Sequence, residues 1–206
     1  MTGKATTVFL AAVFASQVAL TAVSFADGKK GKGGSTEINF KAELAPPPVG
    51  PVAADVNGEV GGEAKYSKKT GKKGIEEKFT GEVEFPVLDA DSAQAAVYDM
   101  HLARITPPAT TPADYAVCSL VIKEIEFEYQ SGNPPLLVGM EGEYAVKVSQ
   151  KTVPPSLPTL KQKIGSCTVF PVVQAGDTAT VFLQGDTLSP LLTGTFSADS
   201  GDHDDD

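Results

Sequence analysis

Tyr115–Gln150 reads YAVCSLVIKEIEFEY, then QSGNPP, then LLVGMEGEYAVKVSQ. Two long β-type runs flank a Gly-Asn-Pro-Pro break, the pattern of a strand, a turn and a returning strand. The first run changes character along its length. From Ala116 to Ile122 both alternating faces are apolar, with Val117 and Val121 on one and Cys118, Leu120 and Ile122 on the other. A strand apolar on both faces is usually covered on both. From Glu124 the period is two: Ile125, Phe127 and Tyr129 share one face, and Glu124, Glu126 and Glu128 share the other. Lys123 interrupts the odd-numbered face and predicts a β-bulge at that point. On the return run Tyr144, Val146 and Val148 oppose Glu143, Lys147 and Lys151. The stretch is the core hairpin of an all-β domain.

The same period recurs on either side. Thr36–Leu44 alternates Ile38, Phe40, Ala42 and Leu44 against charged and polar residues. Val56–Ser67 is a weaker, Gly-rich strand, and KKTGKKG at 68–74 is a hairpin tip. Ile75–Val87 alternates cleanly except for Glu77, a carboxylate on the apolar face. Asp89–Gln94 is a loop or at most one helical turn. Strands follow at Ala95–Ile105, Leu160–Val173, Thr178–Gln184 and Leu188–Phe196, separated by Pro/Gly breaks. No segment carries a convincing 3.6-residue stripe, so helix should be scarce. About eight short antiparallel strands predict a two-sheet β-sandwich, with a β-barrel as the alternative. An echo between Gly62–Thr70 and Gly142–Thr152, followed by Phe85-Pro86-Val87 and Phe170-Pro171-Val172, suggests an internal duplication.

The domain expected from these runs is 36–196. Ahead of it, residues 1–26 read as a signal peptide. Lys4 supplies the positive start, Val8–Val23 the apolar stretch, and Ser24-Phe25-Ala26 the small residues before a cut. Asp27–Ser35 (DGKKGKGGS) is a Gly/Lys linker, and 197–206 is an acidic tail expected to be disordered. Loss of Lys4 with the leader leaves 16 cationic against 26 acidic side chains, a formal charge of −10. Such a chain repels nucleic acid and anionic membranes. No second long apolar run follows the leader, so no membrane insertion is expected after cleavage. The two cysteines, Cys118 and Cys167, both fall in the exported part, which favours one disulfide. The expected localisation is secreted or periplasmic, with a protein or an extracellular ligand as partner.

Few residues are candidates for chemistry. Asp99 and His101 share a strand face, as a metal site or a hydrolytic centre would require, but no nucleophile motif accompanies them. Asp89 and Asp91 resemble the opening of a calcium loop without its mid-loop Gly or closing Glu. The Glu124/Glu126/Glu128 row reads as a solvated face balanced by lysines such as Lys147 or Lys163. Lys65, Lys68, Lys69, Lys72 and Lys73 gather at one hairpin tip, where they could grip an acidic partner or keep an edge soluble. No cofactor is implied. The reading is a non-catalytic binding or structural module. One alternative is a metal-dependent or hydrolytic enzyme using Asp99/His101. The other is a Ca²⁺- or carbohydrate-binding module, whose sugar version exposed coplanar tyrosines would favour.

Overall fold

A computed structural model describes residues 35–48, 60–132 and 134–199. The expected leader, nearly all of the Gly/Lys linker and the acidic run 200–206 lie outside the described residues. In chain order the elements are β1 Thr36–Leu44, β2 Gly61–Gly71, β3 Gly74–Pro86, helix α1 Ala90–Ala95, β4 Tyr98–Arg104, β5 Ala113–Gln130 and β6 Leu136–Thr152. Short strands complete the chain: β7 Thr159–Ile164, β8 Ser166–Cys167, β9 Thr178–Leu183, β10 Leu192–Thr195 and β11 Ser197–Ala198. The strand expected over Leu160–Val173 is therefore two short pieces, β7 and β8. Ser197 and Ala198, grouped with the tail by composition, pair with β1.

The expected two-sheet sandwich is not what these strands build. They form one nearly closed antiparallel barrel in the order β10–β9–β4–β5–β6–β3–β2–β1–β11, with β7 added to β6 and β8 to β5. Two features remove the gap that would separate two sheets. First, β5 runs for 18 residues. Its first half pairs with β4 and its second half with β6, so one strand carries the sheet round. Second, the ends meet. Phe40 and Lys41 pair with Ala198 and Ser197, and Ala45 pairs with Thr193. Alternation of inward and outward residues is common to sandwiches and barrels, so periodicity alone does not separate them.

The connections are of Greek-key type. The β4–β5–β6 meander is flanked by β3 on the β6 side and by β9 on the β4 side. The chain from β3 to β4 crosses one end of the barrel, and α1 lies in that crossing. Asp89 caps α1 by accepting from the Ser92 amide at 2.6 Å, and Tyr144 donates to the Ala93 carbonyl at 3.0 Å. Phe85, Tyr98 and Tyr144 pack ring on ring at the α1 end, with Tyr98 4.5 Å from Phe85 and 4.6 Å from Tyr144. Burial pushes the Tyr144 hydroxyl up to about 12. The opposite end is filled by Phe170, which packs on Tyr66, and by Phe196.

Between the ends the barrel is solid. Ala64, Gly81 and Val146 form a shallow patch across β2, β3 and β6. Met100 reaches into it from β4 on the far wall; a Cβ on Gly81 would lie 2.7 Å from the Met100 methyl. Side chains that span from wall to wall make one core, not two facing layers.

The predicted bulge is present: the β5–β6 register shifts between Ile122 and Glu124. It reverses the phase of β5. Before it the even-numbered Ala116, Cys118 and Leu120 point inward; after it Ile125 lies opposite Gly142 on the inner face. Past the barrel's end β5 and β6 continue as a two-stranded ribbon on which Phe127 and Tyr129 are 49% and 59% exposed. In the other direction β5 and β6 separate, and β7–β8 fills the cleft. Gly165 stands at the fork with φ +57, where a side chain would collide with the Ser119 carbonyl.

The suggested duplication is not reproduced as two equivalent units. The echoing segments β2 and β6 both border β3, but Phe85 ends a strand whereas Phe170 lies in irregular chain plugging the barrel. Two polar networks stabilise that end. Arg104 forks onto Asp177 through Nε and Nη2, both at 2.7 Å, and also donates to the Val172 carbonyl. Tyr115 and the Gln174 amide donate to the same carboxylate, which is 2% exposed. Nearby, Glu77 accepts from Tyr66 at 2.7 Å and from Gln150 at 2.6 Å. This accounts for the carboxylate on the apolar face: it is buried with its hydrogen bonds supplied.

Candidate functional site: a lysine-lined groove

The outward residues of β1, β2, β3 and β6 are set side by side by the barrel register. Lys65, Thr80 and Lys147 stand in one row, and Asn39, Ser67, Lys78 and Ser149 in the next. Lysine alternates with hydroxyl residues both along the strands and across them. Strand neighbours are about 4.8 Å apart and the two rows roughly 7 Å apart. Lys163 from β7 borders one side and Asp199 the other, enclosing a groove of about 420 Å³. The inward aromatic Tyr66 and the edge of Phe40 form part of its floor.

The groove is electropositive on a chain whose formal charge is −9. Lys65 pairs with Glu63, and Lys78 with Glu76 at 3.3 Å. Among the described residues no carboxylate is within ion-pair distance of Lys147 or Lys163. Ammonium and hydroxyl donors in alternation suit oxyanions, each of which can take one charged and one neutral hydrogen bond.

The hairpin-tip lysines disperse. Lys65 enters the groove. Lys68 leans on Glu77 at 3.5 Å, and Lys69 reaches Glu37 at 4.0 Å. Lys72 and Lys73 form the exposed two-residue turn between β2 and β3. Lys147 and Lys163, expected to balance the glutamate row, instead join Lys65 and Lys78. Lys123, next to the row in sequence, turns instead to carboxylates outside it, bonding Glu143 at 2.6 Å and approaching Glu82 at 3.5 Å. Glu126 and Glu128 line a separate open bowl with Glu84, Glu141 and Val60–Gly62.

Asp99 and His101 do lie on the outer face of β4, yet they are used separately. Ser119 donates to Asp99 at 2.7 Å, while His101 Nδ1 contacts Asp114 at 2.6 Å and its ring packs edge-on to Phe182. A hydrolytic triad needs the serine on the histidine; here the hydroxyl is turned to the other carboxylate. Asp114 and Ser119 are cross-strand or adjacent-strand partners that spacing along the chain does not mark. Asp89 serves as the α1 cap; the Ser92 amide holds its carboxyl below the usual range. Asp91 lies in the first turn of α1. Among the described residues no group of three or more His, Cys, Asp or Glu side chains could hold a metal ion.

Cys118 and Cys167 stand opposite each other in the β5–β8 pair and form a disulfide. A structural disulfide speaks for an oxidising environment. No helix among the described residues is long and apolar enough to cross a membrane. Of the five tyrosines only Tyr129 is exposed, and it lies on the ribbon, away from the groove. The groove's lining therefore presents ammonium, hydroxyl and amide groups and no exposed tyrosine. No protein-family model matches the chain, and no curated protein or solved structure is similar enough to match it.

Proposed function

We propose that the protein is an exported, non-catalytic binding module whose lysine groove takes a linear acidic carbohydrate. The supporting observation is the alternation of Lys65, Lys78 and Lys147 with Ser67, Thr80 and Ser149 on one outer face of the barrel. A sugar acid presents a carboxylate or sulfate and hydroxyls on each unit, and this lattice supplies ammonium and hydroxyl partners at a comparable repeat. An acidic peptide would bring the charge but would leave most of the hydroxyl and amide donors without partners. The leader-like sequence at 1–26 and the disulfide together favour a secreted or periplasmic setting.

Isothermal titration with hexagalacturonate at low salt tests the reading, with a neutral hexasaccharide and hexaglutamate as comparison ligands. Hexagalacturonate should bind, and the double variant Lys147→Glu/Lys163→Glu should weaken it by about tenfold or more, the equivalent of about 1.4 kcal/mol. Equal binding of the neutral sugar, or of hexaglutamate, would overturn the assignment to acidic carbohydrate.

A further inference from the structure

The barrel closes on itself, but the ribbon beyond it keeps an open strand edge. From Glu124 to Gln130, β5 has one strand neighbour among the described residues, β6, and no other described backbone group bonds to it. Every second residue of such a strand turns its N–H and C=O to the free side, a template for one more strand. The two faces at this edge differ. Ile125, Phe127 and Tyr129 lie on one, with Met140 and Leu137 of β6 beside the two aromatic rings, which are both exposed. Glu124, Glu126 and Glu128 lie on the other face, about 7 Å from one to the next. None of these three carboxylates has an ion-pair partner among the described residues. We propose that this edge takes an extended segment of a partner protein, one in which basic and apolar residues alternate, as an added β-strand.

Three constraints converge on that occupant. The unpaired backbone edge accepts another strand, the mode by which many peptides are recognised. The aromatic face favours β-branched or aromatic side chains directly across from Phe127 and Tyr129. The carboxylate row favours cations at every second residue, because an added strand repeats the same spacing and opposite charges across a strand pair attract. A second copy of the same edge does not fit. Paired antiparallel about Phe127, it sets Glu126 opposite Glu128 twice over, and like charges directly opposite are destabilising. A register slip of one residue sets each carboxylate against an aromatic ring instead. The glutamates thus guard the edge against self-pairing and leave it open to a cationic strand, so one row supplies both protection and selectivity. The site uses none of the groove lysines and is independent of the carbohydrate reading.

The probe is a capped peptide of about seven residues in which lysine and valine alternate, a length that spans the open edge. Its controls are a block isomer, with all lysines before all valines, and an alternating glutamate–valine peptide. Titration into the ¹⁵N-labelled protein at low salt should shift the amides of Glu124–Gln130. The block isomer and the acidic peptide should bind at least about tenfold more weakly than the alternating lysine peptide. Glu124→Gln/Glu126→Gln/Glu128→Gln, which keeps shape and removes charge on an exposed ribbon, should weaken the lysine peptide by about tenfold, with an unchanged circular dichroism spectrum showing that the fold is kept. Unmoved Glu124–Gln130 amides at saturating peptide would overturn the proposal. So would equal binding of the block isomer, which would reduce the effect to bulk charge. Sedimentation velocity of the protein alone should show a monomer. A dimer whose dissociation on dilution shifts the same amides would assign the edge to a second copy and overturn the proposal as well.

Discussion

Ala45 and Thr193 exchange both backbone hydrogen bonds, Ala45 N–H to the Thr193 carbonyl at 3.1 Å and Thr193 N–H to the Ala45 carbonyl at 2.9 Å. With Lys41↔Ser197 and Phe40↔Ala198 this lies on one antiparallel register, so the last strands meet the first along a single seam. Closure of this kind removes the exposed sheet edges that would otherwise invite pairing with another chain.

Gly194 is the point of closest approach at that seam. A Cβ there would run into the Glu43 carbonyl, which is backbone and cannot swing away. Gly194→Val should therefore open the seam locally and lower stability by about 2–4 kcal/mol. Urea unfolding followed by circular dichroism checks this. A midpoint within error of the parent would show that the seam contributes nothing, and raised light scattering would report the newly exposed edge.

The Cys118–Cys167 bond closes a loop with a sequence separation of 49 residues. Loop-closure entropy puts its contribution at about 4 kcal/mol. Cys118→Ser/Cys167→Ser should lose about that much in denaturant unfolding while keeping its β-sheet spectrum, because the neighbouring β4–β5 and β5–β6 pairings do not depend on the bond. A thiol count on the denatured, unreduced parent should find none free; two per monomer would contradict the pairing.

Glu77 carries a pH signature. Burial alone would raise its carboxyl, but hydrogen bonds from Tyr66 and Gln150, with Lys68 beyond, outweigh this and hold it below its ordinary value of 4.5. A depressed carboxylate adds stability that is fully present above the unfolded value and is lost as pH falls through the folded value. Glu77→Gln should thus cost about 1–3 kcal/mol at pH 7. The gap between parent and variant should shrink as pH drops from about 5 toward 3. Thermal or urea unfolding of both proteins at several pH values measures it. A gap that stays constant across that range would mean that the charge on Glu77 is not the source.

Much of the local structure was legible without coordinates. Alternation placed β1, β3, β5 and β6 within a few residues, and Gly/Lys and Gly-Asn-Pro-Pro breaks located their turns. Lys123 marked the bulge because it interrupts a period of two. The export-type leader and the cysteine count pointed to the Cys118–Cys167 bond. These are properties of adjacent residues, and period-two patterning is written into neighbours along one strand. The closure of the barrel is not such a property. Inward and outward residues alternate identically in a sandwich and a barrel, and the choice was made by the length of β5 and by the meeting of Ala45 with Thr193, 148 positions apart in the chain. The candidate site has the same origin. Lys65, Lys78, Lys147 and Lys163 come from four strands, and they share a surface only because β3 pairs with β2 on one side and β6 on the other. A strand register is decided by which apolar faces can fill a common core, so charged residues on the outer face become neighbours as its consequence. Sequence by itself determined most of the strands and the pair of cysteines that form the disulfide; the tertiary pairing alone decided which lysines stand together.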